Sequence, residues 1–75
     1  MDTNIEFFVN DLYYHYKDIY KNNPNKLNAI QKLYDIKEDY KYGRNNEDGQ
    51  KTTRSDIVNC IMWLRWENII FIPPP

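Results

Sequence analysis

The chain has 75 residues, with ten lysines and arginines against eleven aspartates and glutamates and a formal net charge of −1 at pH 7. A chain of this length has room for one hydrophobic core, which excludes a second domain and predicts a single domain over residues 1–75. The balanced charge also excludes a global field that would attract nucleic acid or an anionic membrane.

Cysteine and histidine each occur once, as Cys60 and His15. One cysteine cannot form an intramolecular disulfide, and this pair supplies no zinc-ligand set. No run approaches the roughly 18–20 apolar residues that span a bilayer, and the first residues do not resemble a signal peptide. We therefore expect a cytoplasmic protein that has no contact with membranes. Frequent Asn, Ile, Lys and Tyr are typical of an A/T-rich genome, such as that of a low-GC bacterium, its phage, a large DNA virus, a protist or an organelle. For a viral source the expected compartment is the host cytoplasm.

The first predicted helix covers about residues 4–22. It follows the capping-box pattern Thr3-Asn4-Ile5-Glu6, which marks a helix start. Its apolar side chains form one broad stripe at helical spacing, and Tyr13 and Tyr20 lie at the edge of that stripe. The predicted core residues of this helix are Ile5, Phe8, Val9, Leu12, Tyr16 and Ile19.

The second predicted helix covers about residues 24–41. Asn23 and Pro24 are a favourable cap and first-turn pair, and Gly43 is placed to end the helix in the left-handed conformation. The predicted core side is formed by Leu27, Ala29, Ile30, Leu33, Tyr34, Ile36 and Tyr40. The predicted solvent side is formed by Asn28, Gln31, Lys32, Asp35, Glu38 and Asp39.

A polar connection follows over residues 43–52. The segment from Gly43 to Lys51 contains no apolar residue, so we expect an exposed loop with a turn near Asp48-Gly49. The alternative is a short hairpin that pairs residues 40–42 with residues 52–53.

The third predicted helix covers about residues 55–67 and follows a second capping box, Thr53-Arg54-Ser55-Asp56. Its apolar residues occupy more than one side, which predicts burial by two neighbours or by another chain. The apolar run 69–72 is expected as a strand or an extended strap, and three prolines at 73–75 stop regular pairing. Together these elements predict an all-α, compact three-helix domain with a polar loop between helices 2 and 3 and a short extended apolar tail.

No recognised catalytic pattern is present. The chain's only glycines, Gly43 and Gly49, do not form a phosphate-binding loop, and Ser55, Cys60 and His15 have no spacing that indicates a nucleophile and its base. Asp35, Glu38 and Asp39 share one helix face, which is read as a solvated charged face, and the segment 45–48 is a poor match to a calcium loop. We therefore expect no catalytic site, no metal and no cofactor.

Exposed aromatic residues give the main prediction of a binding surface. Phe7 and Tyr14 are seven residues apart and are expected on the helix face opposite the core, with Lys17 and Lys21 in the polar rim. Paired aromatic anchors of this kind are favoured at protein interfaces. The alternative is that the strap at 69–72 covers Phe7 and Tyr14 and completes the core.

Helix 3 supplies a second candidate surface through Trp63 and Trp66. An uncovered face there predicts a homodimer, whereas burial on two sides within one chain is the alternative.

The only locally basic stretch contains Lys41, Arg44, Lys51 and Arg54, which in a three-helix chain raises a helix-turn-helix alternative. Asp56 and Glu67 on the third helix oppose phosphate, so nucleic acid is an unlikely partner. The sequence therefore predicts a non-enzymatic protein-binding module, such as a phage- or virus-encoded inhibitor or modulator of a host protein. The alternatives are a helix-turn-helix-like DNA-binding regulator and a structural subunit of a larger assembly.

Overall fold

Three helices account for most of residues 3–71, the part of the chain that the computed structural model describes. They are α1 (Thr3–Ile19), α2 (Pro24–Lys41) and α3 (Arg54–Trp66). No strand is present in this part of the chain, so the predicted all-α three-helix class is confirmed. None of the helices within residues 3–71 is long and apolar enough to cross a membrane.

The turn between α1 and α2 begins earlier than predicted. The α-helix ends at Ile19, three residues before the expected end, because Asn23 N–H donates a 2.8 Å hydrogen bond to the carbonyl of Tyr20 and closes the turn. Asn23 then caps α2 as predicted, its Oδ1 accepting a 3.2 Å bond from Lys26 N–H, with Pro24 in the first turn.

Both α2 and α3 are terminated by a residue with positive φ, which lies two residues beyond the last helical residue. Gly43 has φ +67°, and its N–H and that of Arg44 donate to the carbonyls of Tyr40 (3.4 Å) and Asp39 (2.8 Å), the two bonds of a Schellman motif. At the end of α3, Asn68 has φ +56° and takes the place that glycine takes in α2. The sequence analysis predicted that Gly43 ends α2, but it did not predict that Asn68 ends α3.

Helix α2 lies between the other two helices. Glu6 and Lys41 form a 2.7 Å ion pair, so the start of α1 lies against the end of α2 and the two helices are antiparallel. The Glu6 carboxylate therefore pairs with α2, and Thr3 is the first residue of α1 rather than the residue before it. Both positions differ from those expected in the predicted capping box. No Cα atom of α1 lies within 8 Å of a Cα atom of α3, which leaves a groove between these helices.

The core lies between α2 and its two neighbours. Tyr13, predicted at the edge, is buried, whereas Phe8 and Ile19, predicted in the core, are exposed. The reason is that α1 turns its apolar stripe toward α2, whereas Phe8 faces the groove between α1 and α3, across which no Cα atoms of the two helices lie within 8 Å of each other. The buried apolar residues are Ile5, Val9, Tyr13, Tyr16, Ile30, Leu33, Ile57, Ile61, Leu64, Ile69 and Ile70.

The loop between α2 and α3 is organised by one asparagine side chain. Asn46 Oδ1 accepts 3.0 Å hydrogen bonds from the N–H groups of Asp48 and Gln50, and Gly49 (φ +77°) completes the predicted turn. The alternative hairpin of residues 40–42 with 52–53 does not form. The loop instead contains one isolated antiparallel bridge between Asn45 and Lys51.

The segment after α3 returns to the core as a strap. Ile69 and Ile70 are buried, Phe71 N–H donates a 2.9 Å bond to the Tyr16 hydroxyl, and the Tyr20 hydroxyl donates to the carbonyl of Ile69. The strap therefore lies against the C-terminal half of α1. The predictions for Ile72 and the three prolines lie outside the described residues.

Candidate partner-binding surfaces

The predicted aromatic pair on α1 is exposed to solvent. Phe7 is 63% exposed and Tyr14 is 61% exposed, so the described part of the strap leaves both accessible. The two rings differ in their surroundings, since Tyr14 packs edge-on against buried Tyr13 at 5.2 Å. Lys17 lies over the Tyr13 ring at 5.2 Å, and Lys21 is exposed beyond the end of α1.

The tryptophans of α3 are also outside the core. Trp66 is 84% exposed and Trp63 is 52% exposed, and Met62 beside them is largely in solvent. The alternative of two-sided burial within the monomer is therefore wrong. Ile57, Ile61 and Leu64 alone form the buried stripe of α3.

An apolar groove of about 470 Å³ runs between α1 and α3. Phe8 and Met62 are its exposed apolar residues, and Arg54 and Arg65 lie along it. This groove, which is apolar and flanked by the two arginines, results from the gap between α1 and α3.

A second groove, of about 790 Å³, lies between α2, the loop and α3, and we call it the acidic groove. Its charged lining consists of Asp35, Asp39, Glu47, Asp48 and Asp56 against Lys32 alone. Trp63 and Cys60 contribute the α3 side, and Thr52 contributes a buried hydroxyl. The sequence analysis had placed Asp35 and Asp39 on a solvated helix face, Glu47 and Asp48 in an exposed loop and Asp56 in a capping box, because the position of the loop that closes the groove cannot be predicted from spacing.

Hydrogen bonds from neighbouring residues hold several of the groove's carboxylates in place. Asp56 accepts a 2.8 Å bond from Thr53 N–H, the predicted capping interaction, and this bond lowers the pKa of Asp56. Asp39 pairs with Arg44 at 3.4 Å, and Lys32 pairs with Glu47 at 3.4 Å. Among residues 3–71 no three His, Cys, Asp or Glu side chains lie close enough to hold one metal ion.

The residues considered for nucleophilic chemistry are dispersed. Burial raises the pKa of the Cys60 thiol, which disfavours the reactive thiolate. His15 is exposed and packs edge-on against Tyr16 at 4.9 Å. Ser55 is exposed inside the first turn of α3, where Thr53 is the cap.

The predicted basic stretch does not form an open cationic patch. The ion pair with Glu6 occupies Lys41 and raises its pKa, and Arg44 pairs with Asp39. Lys51 lies in the loop and Arg54 begins α3. Partner carboxylates at Lys41 and Arg44 count against phosphate binding at this stretch.

Lys37 is a buried charged residue that sequence reasoning missed. It is 1% exposed, and its Nζ lies 2.6 Å from Glu38 Oε1 and 3.8 Å from the centre of the Tyr34 ring. The hydrogen bond from Lys37 is the main cause that lowers the pKa of Glu38, and burial raises the pKa of Tyr34. These contacts are internal, so Lys37 belongs to the core and not to a binding surface.

Comparison with known proteins finds no family model, no curated protein and no solved structure that matches this chain.

Proposed function

We propose that the chain is a non-enzymatic protein-binding module that docks a partner protein through the exposed tryptophan face of α3. The observation that carries the proposal is the 84% exposure of Trp66 on a helix whose buried stripe is already complete without it. Large exposed apolar side chains in a small domain favour a binding role, because tryptophan supplies much of the free energy of protein association where it anchors an interface.

Binding acts by occlusion in this proposal. The module covers a site on its partner and catalyses no reaction. This mode of action fits a phage- or virus-encoded inhibitor or modulator of a host protein. The compartment in this proposal is the host cytoplasm. Phe7 and Tyr14 on α1, with Lys17 and Lys21 beside them, are the alternative surface for the same function.

Self-association is the competing use of the same α3 face. Trp63, Trp66 and Met62 on one copy would cover the same residues on another and give a homodimer. Sedimentation equilibrium across a wide concentration range separates the two uses, since a monomer at high concentration excludes the dimer.

Two other functions stay predictions. A helix-turn-helix-like regulator requires a cationic reading face, whereas the ion pairs of Lys41 and Arg44 and the acidic groove beside α3 oppose DNA. A structural subunit would use the same tryptophans for permanent burial in an assembly.

The test is affinity capture from nuclease-treated lysate of the source or host, with two matched double variants. We expect wild type and Phe7→Ala/Tyr14→Ala to retain one protein that Trp63→Ala/Trp66→Ala loses while it stays folded by circular dichroism. The reverse pattern would move the site to α1. Recovery of nothing but the bait, or loss of every partner on nuclease treatment, would overturn the proposal.

A further inference from the structure

The groove between α1 and α3, which we call the α1–α3 groove, is apolar on both walls. Ile5 and Phe8 lie on its α1 wall, and Val58, Ile61 and Met62 lie on its α3 wall. Phe8 is 42% exposed and Met62 is 60% exposed, so the rims are apolar as well as the floor. An occupant that covers this groove removes apolar surface from water, which favours its binding.

The charge along this groove is positive. Arg54 and Arg65 line it, and no carboxylate of residues 3–71 does. Arg65 makes no ion pair within that part of the chain. Since the whole chain has a formal net charge of −1, the positive charge is a local feature of this groove. Charge complementarity therefore selects an occupant that carries carboxylates, and it disfavours a basic one.

The α3 wall repeats at helical spacing. Val58, Ile61 and Arg65 follow one another at intervals of three and four residues, so they form a row along one side of α3. Arg54 begins the same row, about 16 Å along the helix axis before Arg65. A second helix that lies along such a row meets apolar side chains in the middle and charged ones towards the ends.

The shape of the groove favours a helix over a small anionic amphiphile. Its volume of about 470 Å³ accommodates several apolar side chains. A single alkyl chain on the floor would leave the rims at Phe8 and Met62 in water, whereas an amphipathic helix covers both rims.

Met62 joins the α1–α3 groove to the tryptophan face of α3. Trp66 follows Met62 by four residues, so the two side chains are neighbours on the helix surface. A helix in the groove is therefore adjacent to the 84% exposed Trp66, and one partner can contact both.

We propose that the α1–α3 groove binds an acidic amphipathic helix of the partner protein. Apolar side chains of that helix pack between Phe8 and Met62, and one of its carboxylates pairs with the Arg65 guanidinium. This inference rests on the proposed function for the existence of a protein partner, and the groove itself is tested with a synthetic peptide.

The probe is a capped peptide of about 18 residues, a length that supports a helix in water, with leucines at helical spacing among alanines and glutamates. It is titrated into ¹⁵N-labelled full-length protein and followed by NMR. We expect shifts concentrated at the amides of Phe8, Val58 and Met62, and an affinity that falls with added salt. A peptide with lysine in place of every glutamate is expected to bind this groove at least about tenfold more weakly. A scrambled glutamate peptide, which has no apolar stripe, is expected not to bind there.

Several results would overturn the inference. Equal affinity of the glutamate and lysine peptides for the groove would show that its charge selects nothing. Concentration-dependent shifts at Phe8 and Met62 without peptide would show that a second copy of the chain covers the groove. Laurate that shifts the same amides at lower concentration than the peptide would assign the groove to a small anionic amphiphile.

Two matched pairs of variants locate the contacts. Phe8→Ala is expected to weaken binding of the glutamate peptide about tenfold, whereas Phe7→Ala, its neighbour outside the groove, is expected to bind as wild type does. Arg65→Gln is expected to weaken binding severalfold and to reduce its salt dependence, whereas Lys51→Gln, which removes the same charge from the loop, is not. Unchanged affinity in either groove variant, with the fold intact by circular dichroism, would contradict the inference.

The peptide titration and the lysate capture fail independently. A groove that does not bind the peptide, in a protein whose Trp63→Ala/Trp66→Ala variant still loses its lysate partner, would overturn this inference and leave the proposed function standing. Peptide binding as expected, in a protein that captures no lysate partner, would support the groove and overturn the proposed function.

Discussion

At the residue scale, Lys37 shows how a charged side chain enters the core of a small domain. It lies three and seven residues along α2 from Tyr34 and Ile30, on the buried side of the helix. Its methylene stem is apolar, and its ammonium is compensated within one turn by Glu38 and by the Tyr34 ring. Sequence reasoning places lysine in water by default, so it had no reason to assign Lys37 to the core.

Replacing Lys37 separates the contribution of the stem from that of the charge. Lys37→Met keeps a long apolar chain and leaves the partly exposed Glu38 to water, so we expect a free energy of unfolding within about 1 kcal/mol of wild type. Lys37→Ala leaves a cavity and is expected to lose about 3 kcal/mol. Urea denaturation measures both, and equal losses in the two variants would show that the ion pair, not the stem, stabilises this position.

Glu38 makes the stability of the fold depend on acid pH. Its folded pKa is lowered below the ordinary value of 4.5, chiefly by the hydrogen bond from Lys37. A carboxylate with a lowered folded pKa stabilises the fold above its unfolded pKa, and this contribution is lost as the pH falls through the folded pKa. We therefore expect Glu38→Gln to lose less stability than wild type between pH 7 and pH 3, measured by urea denaturation at each pH. A wild-type pH dependence that Glu38→Gln reproduces in full would contradict this.

At the element scale, the helix ends are the part of the structure that short sequence signals determine best. Asn23-Pro24, Gly43 and the Thr53–Asp56 box each act within one turn, and each forms as predicted. The end of α3 uses the same two hydrogen bonds as the end of α2, from Asn68 to Arg65 (3.0 Å) and from Ile69 to Leu64 (2.9 Å). Asparagine after the last apolar residue is a known helix-stop signal, and it was available in the sequence.

The left-handed conformation of Asn68 gives a prediction at this scale. Asn68→Ala places a β-carbon in the left-handed region without asparagine's local hydrogen bonding, and we expect a loss of about 1 kcal/mol. Asn68→Gly removes the steric penalty and is expected to remain at or above wild-type stability. Thermal denaturation compares the two, and an alanine variant as stable as the glycine variant would show that the backbone there does not require this conformation.

At the scale of the whole molecule, the sequence determines which segments are helical better than how those helices pack. Amphipathic spacing marks an apolar side for α1, but the side that is buried depends on where its neighbours lie. The gap between α1 and α3 exposes Phe8, and the loop turns Asp35 and Asp56 into walls of one groove. Both outcomes depend on contacts between distant segments, which helical periodicity does not encode. For the same reason the exposure of Trp66 could be determined only from the structure.

The strap after α3 also contributes side chains to the core, although it lies outside the three helices. Ile70 is almost completely buried, whereas its neighbour Phe71 is largely exposed. We expect Ile70→Ala to lose about 3 kcal/mol, and a domain of this size has only about 4–11 kcal/mol in total. Phe71→Ala, the matched control, is expected to change stability by less than about 1 kcal/mol. Urea denaturation followed by tryptophan fluorescence measures both variants. Equal losses would show that the strap contributes through its backbone bonds to Tyr16 and Tyr20, whereas the expected difference makes Ile70 part of the same cooperative core as Val9 and Leu64.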